Sequence, residues 1–313
     1  MKQLHKITLH KTSVFFLRLL MYSANTIVAQ TTFINSHNAY LGAMPPNDTP
    51  KIFAPGLLTA KGEFSANRVA ITPDGKEIYY CTNKSWKTAK DLKVKCFRYD
   101  GGKWVGPTVV NEHFGGTVFS PDYKTLYFGS DESAGSVFKS TRTKTGWSPP
   151  VEYISRNYVI YDFMPTRSGY KYAASNGTWG QPNDANAWRF SIMPAKDADT
   201  TIQSLGFPLN APGFNGDFFI AMDESYMIVS AKETKTFACE LYISFRKKDN
   251  TWTNPKTLGP LINDGVAHRY AQYVSPDGKY LFYTRGASEK DCAVYWVRFD
   301  HLLSKLRHTN FKP

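Results

Sequence analysis

The chain is short of cysteine and of the usual catalytic signatures. It has 4 Cys in 313 residues, and no C-x-x-C or His/Cys cluster has zinc-ligand spacing. That excludes a structural zinc site of the finger type, and no metal is assigned. There is no G-x-S-x-G elbow, P-loop or H-E-x-x-H helix, so the common hydrolase, nucleotide and zinc-protease signatures are missing. Gly101-Gly102 and Gly115-Gly116 are turn glycines, not phosphate cradles. Beyond the first thirty residues, no segment reaches the ~18 apolar residues of a membrane helix. Acid is scarce relative to base: 38 Lys+Arg face 26 Asp+Glu, a net charge of +12. The charge is dispersed and carries no nucleic-acid motif, so the expected partners are anionic but not nucleic acid.

What the chain does have is aromatic residues, turns and repetition. Tyr (19) and Phe (21) are abundant and the chain is 42% hydrophobic, enough for the core of one large strand-rich domain. The stretch Tyr273–Gly286, Y-V-S-P-D-G-K-Y-L-F-Y-T-R-G, reads as two strands around a tight turn at Pro276-Asp277-Gly278. Proline sets φ at the first corner, and Asp and Gly suit the rest. The chain writes this hairpin five times. The other copies turn at Asp74, Asp122, Arg167 and Asp223, so the intervals run from 45 to 56 residues. Copy three lacks the Asp, and copy four lacks the Pro.

Each hairpin is followed by a third strand: Lys95–Tyr99, Ser136–Ser140, Glu240–Phe245 and Ala293–Phe299 in copies one, two, four and five. Trp104-Val105-Gly106-Pro107, Trp147-Ser148-Pro149-Pro150 and Trp252-Thr253-Asn254-Pro255 then open a fourth strand. These Trp residues recur in register, which marks them as packing residues between units. Four strands at this period are the signature of propeller blades. The fifth copy lacks its fourth strand and runs into a short amphipathic helix at His301–Leu306. Ile52–Leu58 echoes the missing strand. The expected fold is all-β: a five-bladed propeller of four-stranded antiparallel blades, closed by the N-terminal strand. Closure removes free sheet edges.

The S-P-D-G-K turn, the W-x-x-P-x-x-L-x-x-x-I-N stretch from Trp252 to Asn263 and the V-Y-W-V end resemble the TolB-like, WD-like β-propeller repeats of secreted Bacteroidetes-type proteins. The resemblance spans roughly residues 51–307. It implies a propeller and is nearly silent on activity, because the family includes binding scaffolds, transport accessories and carbohydrate-associated proteins.

Residues 1–29 read as a secretory signal. A basic stretch from Lys2 to Lys11 precedes an apolar run, Val14–Met21, broken by Arg18, with a small-residue cleavage site after Ala29. Loss of the four leader cations leaves +8. The remaining expectations are a linker over 30–50, the propeller over 51–307 and a tail over 308–313. The location would be secreted or periplasmic, and the protein a monomer. Export would allow a disulfide between Cys81 and Cys96, which lie on adjacent strands of blade one.

Propeller sites usually lie where the chain enters each innermost strand. Those segments are Glu63–Arg68, His113–Gly116, Tyr158–Asp162, Phe214–Asp217 and His268–Ala271. His113, His268, Asp162 and Asp217 are the candidates for acid–base work or for a cation in the central channel. The bland alternative is a polar channel lining whose members bond one another, and it is favoured. No cofactor is expected apart from that cation. The second candidate surface is the loops between strands two and three. Lys84, Trp86 and Lys87 stand in a basic loop, and Trp179 in a Gly/Asn-rich one. Rings of this kind stack on sugar faces, with Arg68 and Arg269 as nearby cations; the alternative is a Trp folded back on its own blade. The reading is therefore an exported binding module for a glycan, anionic ones included. The alternatives are a glycoside hydrolase or polysaccharide lyase and an envelope protein-interaction scaffold. Enzyme activity is not the favoured reading.

Overall fold

The computed structural model describes residues 33–58, 63–65, 68–85, 90–177, 179, 188–196, 201–232 and 238–310. The expected leader lies outside them. Within them the chain forms five antiparallel sheets arranged as a propeller. The first strand, β1 (Lys51–Ile52), belongs to the last blade. Blade one has an inner strand in two halves, β2 (Phe64–Ser65) and β3 (Ala70–Ile71), followed by β4 (Glu77–Asn83), β5 (Lys93–Asp100) and β6 (Lys103–Glu112). Blade two is β7 (Phe114–Phe119), β8 (Thr125–Ser130), β9 (Ser136–Thr141) and β10 (Val151–Ser155). Blade three is β11 (Ile160–Pro165), β12 (Lys171–Ser175), β13 (Arg189–Met193) and β14 (Gln203–Ser204). Blade four is β15 (Phe214–Ile220), β16 (Tyr226–Lys232), β17 (Cys239–Phe245) and β18 (Lys256–Thr257). Blade five is β19 (His268–Val274), β20 (Tyr280–Gly286), β21 (Ala293–Arg298) and β1.

The ring closes as the repeat arithmetic requires. Lys51 pairs with Trp296 and Ile52 with Tyr295, and the Phe53 amide donates to Val294 O at 2.7 Å. The closing strand is only two residues long, so much of its blade would be bare. Residues 33–42 cover it. Ile34, Ala39 and Tyr40 are buried, and the Tyr40 ring lies 5.3 Å from Tyr280 and 5.5 Å from Trp296. Trp104 Nε1 donates to Asn38 O at 2.7 Å, and the Arg298 amide to Asn47 O at 3.0 Å. The linker expected over 30–50 is thus corrected. From Phe33 onward the segment is packed on blades one and five, because its apolar residues offset the short closing strand.

The repeated turn owes its stability to a serine or threonine two residues before the Asp. Ser275 Oγ donates to Asp277 Oδ1 at 2.6 Å and accepts the Tyr280 amide at 3.0 Å, while the Lys279 amide donates to Asp277 at 3.2 Å. Thr72 with Asp74 and Ser120 with Asp122 repeat the pattern at 2.7 and 2.6 Å. Each turn therefore satisfies its own backbone donors. Blade three has no such Asp, and Glu224 of blade four supplies the carboxylate. It accepts from Thr166 Oγ1 at 2.7 Å, from Ser168 Oγ and from Tyr172 Oη at 3.0 Å, and it pairs with Arg246.

The recurring Trp residues pack at the seams. Trp147 Nε1 donates to Tyr79 Oη of blade one at 3.0 Å, and Trp252 joins the core of Tyr172, Phe190 and Met227. Helix α1 (Asp300–Asn310) caps blades four and five with Leu302, Leu303 and Leu306. It runs across the expected boundary at 307. Among the described residues no helix is long and apolar enough to cross a membrane.

Candidate functional site

Every inner strand except the split one of blade one carries a bulge near its start. A bulge leaves backbone donors unpaired, and the candidate aspartates take them up. Asp162 Oδ2 accepts the Phe218 amide of blade four at 3.2 Å. Asp217 Oδ2 accepts the Ala271 amide of blade five at 2.9 Å. Each carboxylate therefore pins the next blade's bulge. Asp162 itself stands at φ 55°, a left-handed conformation.

Arg68 lies across the axis. Its Nη2 is 2.6 Å from Asp162 Oδ1 and donates to Phe218 O at 3.0 Å. The two side chains are 1% and 7% exposed, so they fill the channel. Burial pushes the Asp162 carboxyl up to about 7; the Arg68 cation opposes this and the Asp217 charge adds to it. Gln272, fully buried, reaches Asp217 O with its Nε2 at 3.5 Å.

The histidines do not join this cluster. His113, at φ 67°, links blade one to blade two by a single residue, and its Nδ1 is 3.5 Å from Asp131 Oδ2. His268 stacks on Tyr270 at 4.4 Å, with Nδ1 3.2 Å from Cys239 Sγ. The two aspartates sit together with Arg68 while each histidine pairs elsewhere, so the four acid–base candidates do not form one open constellation.

Arg269 is also committed to structure. It is buried, and its guanidinium donates to the carbonyls of Ile262, Cys239 and Asp264 and to the Asp264 carboxylate. The expectation that Arg68 and Arg269 face a ligand is corrected. Arg68, just before β3, is engaged by Asp162 and Phe218 O, and Arg269, in β19, by Cys239 O and the 262–264 loop.

On the second surface, Trp86 and Lys87 lie outside the described residues. Lys84 is exposed, and the neighbouring Ser85 Oγ donates to Glu289 of blade five at 3.0 Å. Trp179 is 38% exposed. Its six-membered ring lies against Gly177, where an added Cβ would meet ring atoms at 2.6–2.7 Å. The ring is therefore folded back against its own loop and keeps part of its surface exposed. Asn176, in the same loop, is buried, with Oδ1 accepting the Val159 amide at 3.0 Å.

The disulfide expectation is corrected too. All four cysteines are thiols. In the β4–β5 register Cys81 faces Val94 and Cys96 faces Tyr79, so the two sulfurs are offset by a diagonal step. Burial, then the Glu77 charge, pushes the Cys96 thiol up to about 12.

One cleft, of about 570 Å³, opens between blades one and two, lined by Tyr79, Cys96, Val105, Thr108, Trp147 and Pro149. Tyr79 and Trp147 satisfy each other there. Glu77 lies beside them. Burial opposes its ionisation, but Arg142, Tyr79 and Arg98 outweigh burial and hold the carboxyl below the usual range.

Sequence comparison finds no matching family and no matching curated protein. Solved structures do match in fold. The periplasmic gluconolactonase of Pseudomonas aeruginosa is 14% identical, with a TM-score of 0.43 over 70% of this chain and 65% of that one. TolB from Acinetobacter baumannii is 12% identical, with a TM-score of 0.44 over 73% and 53%. An oligogalacturonate lyase from Vibrio parahaemolyticus is 11% identical, with a TM-score of 0.42 over 76% and 66%. The chain spans roughly half to two thirds of these neighbours' own lengths. The sheet topology itself makes the chain a five-bladed β-propeller, and TolB proteins stand among the structures it is similar to. Fold likeness at this identity carries no activity with it.

Proposed function

We propose that this propeller is an exported binding module that recognises a glycan, with anionic glycans best matched to its basic surface. The observation that carries the reading is Trp179: a large ring braced on Gly177 in a Gly/Asn-rich loop, more than a third of it open to solvent. A ring held from behind loses little entropy on stacking against a sugar face. Lys84, exposed in the blade-one loop, supplies positive charge.

Enzyme chemistry is the weaker reading. A glycosidase needs two carboxyl groups facing a substrate across a cleft. Asp162 and Asp217 already accept backbone amides, and Arg68 occupies the space before Asp162. Export rests on the basic and apolar leader; secretion with a new N-terminus at Gln30 is the expected outcome of N-terminal sequencing.

Retention on immobilised acidic and neutral polysaccharides tests the binding reading. Trp179→Ala should weaken retention about five- to tenfold, in line with about 1–1.5 kcal/mol for one aromatic contact. Gly177→Ala should do the same by displacing the ring. Unchanged retention in both variants would remove this site. Release of reducing ends or of unsaturated uronate by the wild-type chain would favour the enzyme instead.

A further inference from the structure

We infer that His113, Asp131 and Glu132 form a binding site for a first-row divalent cation at the junction of blades one and two. This is distinct from the axial cation considered from the sequence, since these residues pair off away from Arg68 and Asp162. One donor atom from each of the three lies within 4.8 Å of the other two. Ligands held about 2.0–2.3 Å from a shared ion fall within that span.

The second observation is at Asp131. Its side chain is 5% exposed, yet among the described residues Oδ1 has no hydrogen-bond partner. A buried carboxylate oxygen without a donor is costly, and a cation is one of the few groups that relieves it. The other oxygen, Oδ2, takes the Leu92 amide at 3.2 Å and stands 3.5 Å from His113 Nδ1. That His–Asp separation is long for a hydrogen bond and suits two ligands of one ion.

The donor set narrows the ion. One imidazole and two carboxylates suit Mn²⁺, Zn²⁺ and their neighbours better than Ca²⁺ or Mg²⁺, which prefer oxygen alone. His113 and Glu132 are exposed, so water or a ligand oxygen would fill the remaining positions. The backbone is already tied in place. The His113 amide donates to Leu92 O at 2.7 Å, and the Asp131 amide to His113 O at 3.0 Å. A bound ion would therefore lock blade one to blade two across their single-residue link.

The test uses the full chain without a histidine tag, stripped with chelator and titrated with Mn²⁺ followed by electron paramagnetic resonance, and with Zn²⁺ by calorimetry. The expected result is one saturable site per chain and a higher melting temperature when it is filled. His113→Ala and Glu132→Gln, both at exposed side chains, should each weaken that site tenfold or more. Asp131→Asn should abolish it, and if that variant fails to fold the other two still decide. No saturable binding to the wild type, or binding unchanged in both His113→Ala and Glu132→Gln, would overturn the assignment.

Discussion

Arg68 of blade one and Asp162 of blade three meet at 2.6 Å, although a whole blade separates them along the chain. The guanidinium also reaches Phe218 O of blade four. One side chain thus contacts the two blades that stand opposite its own. The pair turns the channel mouth, where a propeller's chemistry is usually sought, into part of the core.

Arg68→Met should therefore destabilise the protein by about 3–5 kcal/mol, since it leaves a buried carboxyl without its cation. The loss should depend on pH in a definite direction. The Asp162 carboxyl sits at about 7 in the folded chain, against about 3.9 when unfolded. Its protonation favours the folded state, so that contribution is complete below about pH 4 and is lost as pH rises through about 7. Removing Arg68 raises the carboxyl further, so the variant's deficit should widen between pH 5 and pH 8. Urea unfolding at those two values checks this; an equal deficit at both would contradict it.

Glu224→Gln should cost about 3 kcal/mol, because Arg246, Thr166, Ser168 and Tyr172 all lean on that carboxylate. Asp223→Ala, at the position the repeat itself marks, should cost about 1 kcal/mol or less. Asp223 is exposed and, among the described residues, accepts the Ser225 amide alone. Burial works against Glu224 ionisation, but Ser168, Thr166, Tyr172 and Arg246 hold its carboxyl below the usual range. Its contribution is therefore present above about pH 4 and lost as pH falls further. Thermal melts of the two variants at neutral pH should rank them in this order.

Tyr40→Ala should cost about 3 kcal/mol or more, as for other buried aromatics. A residue in a true linker would change stability by about 0.5 kcal/mol or less. The ring is 3% exposed, and its hydroxyl donates to Asp277 at 3.3 Å. Chemical denaturation of the variant distinguishes the two outcomes.

All four cysteines should react with a thiol reagent in denaturant without prior reduction. In the native state Cys292, the least buried, should react first. Cys96 should be the slowest, since burial and the Glu77 charge keep it from forming the thiolate. Two reactive thiols in denaturant instead of four would restore the Cys81–Cys96 bridge.

Much of the fold could be read from short stretches. The Asp-centred turns located four hairpins, and their spacing located the decayed third. The echo of the Trp-x-x-Pro strand near Ile52 located the closure, which the Lys51–Trp296 pairing realises. Residues 33–42 misled because Ile34 and Tyr40 are scattered among polar residues without strand or helix period. The site was harder to read. His113 and His268 share a repeat position, yet one faces a carboxylate and the other a thiol. Glu224 could have been noticed as an extra acid beside Asp223, but nothing local pointed it at blade three.

The sequence by itself determined the number of blades and the place of the hairpin turn that opens each one. Those features are local: a hydroxyl, a carboxylate and the amides they serve lie within five residues of one another. Tertiary structure alone decided which polar side chains remain available to a ligand. Arg68, Asp162 and Asp217 come together only when the ring closes, and burial there turns candidate catalytic groups into partners for one another and for unpaired backbone amides.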